Sequence, residues 1–216
     1  MRFATCLLAL VAACQPVPNV KHPTAQELAK AAILNSVGLA AQCSDGSLQF
    51  GSGTAIGPGT VLTARHVLTC DDGAPVAVMV EFTSADGTKQ AMATGLQGLS
   101  NGGELQDAAL VTVAGDPFAY VARQGSAPGL GDTVCLNAYI PRHFFACSQV
   151  AEVRGFEADH AQAVYPGNSG GGVYDDQGYL VGITVQSIYC HNHQGAPEVC
   201  GGVVLLLAGA KPDETD

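Results

Sequence analysis

Basic residues are scarce in this chain. Nine lysines and arginines stand against nineteen aspartates and glutamates, for a net charge of −10. Phosphate recognition needs a clustered basic footprint, and no lysine or arginine run supplies one, so nucleic acid is excluded as a partner. The acidic balance serves solubility instead. Charge of either sign is sparse, 13% against 47% hydrophobic residues, which excludes a disordered polymer and fits a compact globule. Long apolar runs are missing as well. The run inside the opening "MRFATCLLALVAACQPVP" is too short to span a bilayer. After residue 40 there is no sustained helical period beyond a short turn following residue 64, and no repeat or low-complexity tract.

What is present begins with export. One arginine, an apolar run and then small residues read as a secretory signal over 1–13. Val11-Ala12-Ala13-Cys14 resembles the bacterial lipobox. That resemblance implies cleavage before Cys14, a lipid on its thiol, and residence in the periplasm or cell envelope. Ordinary cleavage after Ala13 is the alternative and gives a secreted protein. Residues 14–23, containing "QPVPNVKHP", form a proline-containing tether. The roughly 190–200 residues left suffice for one well-buried domain or two small ones.

Six cysteines remain once Cys6 and Cys14 are set aside, an even number in an exported chain. Sequence does not fix their connectivity. Neighbouring pairs, Cys43–Cys70, Cys135–Cys147 and Cys190–Cys200, are expected because each brackets a hairpin or loop. Zinc at "CHNH" with Cys200 is the rival for the last pair, but its spacing matches no standard zinc pattern.

Thr24-Ala25-Gln26-Glu27 has the form of a capping box, and Leu28, Ala31, Ala32 and Ile33 supply an apolar stripe, so one short helix is expected near 25–36. After it, short apolar or alternating runs recur at 47–56, 60–63, 76–83, 108–113, 132–140, 144–153, 179–187 and 201–207, with "DG" turns at 45–46, 72–73 and 86–87. The fold class is all-β, as sandwich or barrels. The glycine- and proline-rich stretch 114–132 divides the strands into two similar sets. The expected organisation is helix and first unit over 24–115, linker over 116–129, and second unit with a short acidic tail over 130–216.

Chemistry concentrates at "YPGNSGGGVYDDQG", 165–178, where Ser169 is flanked by four glycines, Gly167 and Gly170 to Gly172. Glycine is the costliest residue to order, so the cluster implies close backbone approach. A serine hydroxyl is a weak nucleophile until a base takes its proton, and that base is usually histidine, itself held by a carboxylate. The oxyanion that forms needs donors already aimed at it, and backbone N–H groups serve. Gly167 and Ser169 could offer two. Of the six histidines (22, 66, 143, 160, 191 and 193), His66 has the distinctive setting, ending an apolar strand in "GSGTAIGPGTVLTARHVL". Asp107 opens "DAALVTV" at the rim of a core, whereas Asp71, Asp72 and Asp86 lie in turns. Glu104 is the nearest competitor.

These three segments, in the order His66, Asp107, Ser169, resemble the trypsin/chymotrypsin-like serine peptidases, and their details resemble the bacterial glutamyl-endopeptidase and HtrA-like branches more than pancreatic trypsin. The resemblance implies two six-stranded antiparallel β-barrels with the triad between them. It implies His66 as general base, Asp107 as its orienter, Ser169 as nucleophile, and Gly167 with Ser169 as the oxyanion hole. It further implies an endopeptidase acting on polypeptides through an acyl-enzyme, without metal or organic cofactor. A monomer is expected, touching membrane only through Cys14. Because only "AGAKPDETD" follows the second barrel, an HtrA-style oligomer with an appended domain is not expected.

Three positions depart from the pattern. Asn168 stands where trypsin-type zymogens carry an aspartate, so activation by a freed N-terminus is not expected. Arg65 replaces a small residue before the histidine and is expected to point to solvent. Gly172 stands where proline is common and is read as added flexibility. The pocket base implied by the resemblance is Ala163 with Val164, and the wall is Val185, Gln186 and Ser187. With no carboxylate there, a small or apolar side chain is preferred over lysine or arginine. His191 and His193 would favour acidic residues if they reached the pocket; otherwise they decorate a disulfide loop.

Two other readings stay open. "GNSGG" also fits the nucleophile elbow of serine esterases, with Asp175, Asp176, His191 and His193 following it, but "GGGVYDDQG" is a poor helix start. A catalytically silent relative serving as a binding module would carry the same residues without the working geometry.

Overall fold

The computed structural model describes residues 23–101, 104–140, 143–192, 194–207 and 211–212. The expected signal segment, Cys14, most of the tether and His193 lie outside them.

The helix α1 spans Ala25–Asn35 and starts where the sequence places it. Glu27 N–H donates to Thr24 Oγ1 at 3.3 Å, and Thr24 N–H donates to Glu27 Oε2 at 2.8 Å. The two bonds satisfy orphan donors at the helix start reciprocally. Asn137 of the second barrel donates from Nδ2 to Ala32 O at 2.7 Å, tying the helix across the molecule.

Six strands follow: β1 (Ser36–Gln42), β2 (Leu48–Gly57), β3 (Thr60–Thr63), β4 (Ala77–Ser84), β5 (Gly87–Asn101) and β6 (Glu104–Val113). They pair antiparallel in the order β5-β4-β1-β2-β3-β6, and β5 also pairs with β6, which closes a barrel. Alternation drives it. In β4, Val78, Val80 and Phe82 point inward, 3%, 0% and 5% exposed, while their neighbours face outward.

The second barrel closes β7 (Thr133–Ala138), β8 (Phe144–Arg154), β9 (Glu157–His160), β10 (Gly172–Asp175), β11 (Leu180–His191) and β12 (Pro197–Leu206) in the order β10-β11-β12-β9-β8-β7. Val134, Leu136, Val150, Val173, Val181 and Val204 fill it. Leu180, Ile183 and Leu205 face the other way and pack with the first-barrel core, so the barrels share apolar contact. The chymotrypsin-like double barrel is therefore the fold.

The stretch between the barrels is a strap bonded to both. Ala122 N–H donates to Ala55 O at 2.8 Å, and Leu180 N–H donates to Arg123 O at 2.7 Å. Phe118 stands edge-on to Phe82, with centroids 5.1 Å apart. A short final strand, β13 (Lys211–Pro212), pairs with Ser100 and Leu99 of β5, so the tail returns to the first barrel.

Two expected disulfides form, Cys43–Cys70 and Cys135–Cys147. The third does not: Cys190 and Cys200 are free thiols. The two thiols lie within hydrogen-bond reach of each other at a shift in the ladder, without a bond between the sulfurs. Cys190 pairs with Glu198, the ladder shifts between Ile188 and Tyr189, and Cys200 Sγ turns to Ile188 O at 3.7 Å. A hydrogen bond with Cys200, ahead of desolvation, pushes the Cys190 thiol up to about 11.

Gly172 is not a point of flexibility. It opens β10 paired on both sides, with Ile183 and Asn137. A Cβ there would lie 2.9 Å from the Tyr174 ring and strike Thr54 Oγ1, so glycine is required by space.

Candidate active site

His66 is delivered by the end of β3. Val61, Leu62 and Thr63 are buried, and Ala64 with them, so the chain must turn at the barrel mouth. A 3-10 turn over Arg65–Leu68 does this, with Val67 N–H bonding Ala64 O and Thr69 N–H bonding His66 O, both at 3.2 Å. Val67 and Leu68 anchor the turn in the core while His66 faces out, its side chain 47% exposed. The Cys43–Cys70 bond pins the far side of the turn.

Asp107 comes from β6. The register sets Thr63 opposite Ala109, and two more positions along β6 bring Asp107 beside the 65–66 turn. Its Oδ2 lies 2.7 Å from His66 Nδ1, and its Oδ1 accepts the His66 backbone N–H at 2.9 Å. Burial alone pushes this carboxyl up. The hydrogen bonds from the His66 ring and backbone, with the charges of His66 and Arg65, overcome that and hold it below the usual aspartate value. Arg65 is half-buried, so its cation is not simply solvent-facing but acts on Asp107.

Ser169 lies in the loop between β9 and β10. Asn168, 2% exposed, braces that loop. Its Oδ1 accepts Tyr165 N–H at 2.9 Å, its Nδ2 donates to Ile140 O at 3.2 Å, and its own N–H donates to Tyr165 O at 2.9 Å. Gly167 and Gly170 hold positive φ, +92° and +82°, which L side chains rarely adopt. Gly170 also sits where a Cβ would collide with Ser52 O and Thr63 Oγ1 and lie 2.8 Å from Ala64 N. The glycine after the serine is thus packed on the segment that leads to His66. Ser52 N–H donates to Ser169 O at 2.8 Å. A Cβ on Gly51 would touch both Ser169 O, at 3.1 Å, and the Val67 methyls. One short piece of β2 therefore separates the two candidate loops.

Among the described residues, Gly167 N–H and Ser169 N–H donate to no protein acceptor, although their neighbours at 168, 170 and 171 all do. Two free donors flanking one hydroxyl can take an anionic oxygen. Ser169 Oγ and His66 are not hydrogen-bonded to each other, and the ring pairs with Asp107 alone.

The other described histidines go elsewhere, and His22 lies outside the described residues. His143 packs edge-on to Tyr139, 4.6 Å between centroids, with its pKa lowered by burial. His160 is buried inside the second barrel, and burial pushes its pKa down to about 4, against a smaller upward pull from Asp159. His191 is exposed at the far end of β11, opposite Pro197. It lies seven positions along β11 from Thr184, roughly 20 Å of strand.

Of the expected pocket residues, Ala163 is half-buried and Val164 is 1% exposed. Ser187 Oγ donates to Val164 O at 2.7 Å, joining wall to base. Val185 occupies a bulge in the ladder and Gln186 is exposed. Gly202 faces Val164 and the His160 ring, whose Nε2 would lie 2.9 Å from a Cβ there. Sequence reasoning missed Ser52, Gly202 and His160 here. Only the "GSG" at 51–53 gave a signal, and it carried no direction.

The family model for the trypsin-like peptidase domain matches residues 51–183, more than half of the 216. The chain belongs to the trypsin-like peptidase family. This trypsin-like peptidase is similar in fold to several solved proteases. The HtrA-type protease AlgW with a tripeptide is 20% identical at TM-score 0.66, over 86% of this chain and 60% of that one. Rv3671c from M. tuberculosis H37Rv, a serine-to-alanine mutant in an inactive form, is 20% identical at TM-score 0.60, over 90% and 92%. The serine endoprotease from Yersinia pestis is 21% identical at TM-score 0.64, over 87% and 64%. The chain spans about 60% of the length of AlgW. No curated protein matches it. At such identities the structural likeness speaks for the fold, and the family match speaks for a trypsin-like peptidase domain.

Proposed function

We propose that this chain is an exported endopeptidase that cleaves polypeptides through an acyl-enzyme on Ser169. The observation that carries the reading is the doubly bonded His66–Asp107 pair, separated by one strand from a serine turn with two unsatisfied N–H groups. Asp107 fixes the proton on Nδ1, which leaves the Nε2 lone pair free as a base. Ser169 Oγ attacks the scissile carbonyl and its proton passes to His66 Nε2. The carbonyl oxygen becomes an anion held by the N–H groups of Gly167 and Ser169. His66 then protonates the leaving amine, and a water, activated the same way, releases the acid and restores the hydroxyl. None of these steps calls on a metal or organic cofactor. Export with a lipid on Cys14 belongs to the same proposal, as does a preference for small or apolar side chains before the cleaved bond. The absence of a carboxylate at the expected base, Ala163 and Val164, supports that preference. A peptide library incubated with the protein tests the reading: cleavage is expected from the parent and none from a folded Ser169→Ala variant. Equal cleavage by that variant overturns it.

One observation favours a second reading, a catalytically silent binding module: the missing hydrogen bond between Ser169 and His66. Such bonds are often long without substrate and tighten in the complex. A parent that folds but cleaves nothing in the library supports the silent module.

A further inference from the structure

Ser52 belongs to neither the base nor the nucleophile, yet it touches the segments that carry both. It is fully buried on β2. Its C=O accepts from Thr63 Oγ1 at 2.7 Å, three positions before His66. Its N–H donates to Ser169 O at 2.8 Å. Its hydroxyl lies 2.7 Å from Gly167 O, 2.9 Å from Tyr139 N and 3.2 Å from Ile140 N.

The direction of these bonds is forced. A serine hydroxyl has one proton and two lone pairs. Tyr139 N–H and Ile140 N–H can only donate, so they occupy the lone pairs. The single proton goes to Gly167 O. The hydroxyl is then saturated and joins a strand of the first barrel to two segments of the second.

Peptide planes are rigid, so fixing one end of a plane fixes the other. In the 167–168 plane, Ser52 Oγ holds the C=O and Tyr165 O holds the N–H at 2.9 Å. In the 169–170 plane, Ser52 N–H holds the C=O and Thr184 O holds the N–H at 2.7 Å. In the intervening plane, Gly171 N–H holds Asn168 O at 2.9 Å, which turns Ser169 N–H the opposite way. Gly167 has no side chain to hold its own conformation and sits at φ +92°. Without the Ser52 proton, that plane is held only at its other end, by the Asn168 N–H bond to Tyr165 O.

We propose that Ser52 is a positioning residue for the oxyanion-binding turn, fixing the 167–168 peptide plane that joins the two donors, so that the Gly167 N–H before it and the Ser169 N–H after it stay turned toward the substrate. The proposal rests on the reading of Ser169 as nucleophile given above, but its geometric part does not.

The test compares the parent with Ser52→Ala and Ser52→Cys in full-length protein, using a fluorophosphonate. In that reaction a Ser169 Oγ–phosphorus bond forms, fluoride leaves, and the hydroxyl proton passes to His66. The developing phosphoryl anion needs the same two donors as a tetrahedral carbon intermediate. Removing a direct oxyanion donor costs on the order of 100- to 1,000-fold in rate, and loosening one costs less. For folded Ser52→Ala the limiting labelling rate is expected to fall about 10- to 100-fold, with the probe's half-saturating concentration changed less than about threefold. Labelling of the folded variant within about threefold of the parent rate overturns the role. If Ser52→Ala does not fold, Ser52→Cys decides, since a thiol is a poor donor: a clear loss of rate supports the role and the parent rate contradicts it. The carbonyl carbon-13 resonance of Gly167 separates the two readings. Loss of its hydrogen bond should move that resonance upfield, even if the parent proves unreactive and the nucleophile reading fails. An unmoved resonance contradicts the positioning role whatever the labelling.

Discussion

Asp107 holds His66 by two points, ring and main chain: Oδ2 is 2.7 Å from Nδ1 and Oδ1 is 2.9 Å from the backbone nitrogen. One contact would leave the ring free to swing about the other; two fix both position and tautomer. An asparagine side chain in its place cannot accept both bonds. Its amide would donate to Nδ1 and place the imidazole proton on Nε2, where a base is needed. Asp107→Asn is therefore expected to lower kcat/KM by on the order of 10⁴ while the protein stays folded. Steady-state kinetics on any peptide the parent cleaves checks this, and a loss below about tenfold contradicts it.

The buried His160 makes stability depend on pH. Its pKa is about 4 in the fold, because burial disfavours the cation, against 6.5 when unfolded. Its nearest polar neighbours are Ser148 Oγ at 3.4 Å and Gln162 N at 3.2 Å. Between those two values the unfolded chain binds the extra proton. The contribution is thus full above about 6.5 and is lost as pH falls through about 4, by at most about 3 kcal/mol. Urea unfolding at pH 7 and pH 4.5 should show a larger drop in midpoint for the parent than for His160→Gln. Equal drops contradict the assignment. Asp107, with its depressed pKa, has the same sign in a lower window: its stabilisation is present above 3.8 and lost as pH falls through its folded value.

Two glycines with nearly the same φ should respond differently to alanine. Gly131 has φ +84° and open space around a Cβ, so Gly131→Ala should cost about 1–2 kcal/mol from backbone strain alone. Gly170 has φ +82°, but a Cβ would meet the backbone of Ser52 and Ala64. Gly170→Ala should cost more than about 4 kcal/mol or prevent folding. Chemical denaturation of the two variants checks this; similar costs would show that the serine turn is not packed as described.

Cysteine mapping follows from the cysteine pairing. Alkylation before reduction should label Cys190 and Cys200 and spare Cys43, Cys70, Cys135 and Cys147. Peptide mapping by mass spectrometry reads the result, and a protected Cys190–Cys200 pair contradicts the free-thiol assignment. Replacing Cys43 and Cys70 together should cost about 3–4 kcal/mol, given a separation of 27 residues.

The sequence carried the local signals well. The capping box at Thr24 and the hairpin 47–63 are short-range patterns with a physical cause, and His66 and Asp107, singled out from separate segments, meet in a hydrogen bond. Four barrel strands, and the two-residue β13, were not legible. The β1 stretch "SVGLAAQ" follows a helix without a turn signal, and its apolar run reads equally as buried helix. In β5, polar residues and glycines at 95 and 98 hide the alternation. β9 and β10 are only four residues each. The Cys190–Cys200 expectation failed because side-chain direction at a ladder shift is set by the whole hairpin: the two thiols meet through a hydrogen bond and not through a disulfide. Ser52 was invisible for a similar reason: its partners Gly167 and Tyr139 are 115 and 87 positions away.

The central claim is that the imidazole of His66 removes the proton of Ser169. Fluorophosphonate labelling followed by peptide mapping tests it most directly. The account predicts a single phosphonyl adduct on Ser169 in the parent, and loss of that adduct in folded His66→Ala. An adduct on another residue, or Ser169 labelling that proceeds unchanged without His66, would contradict it.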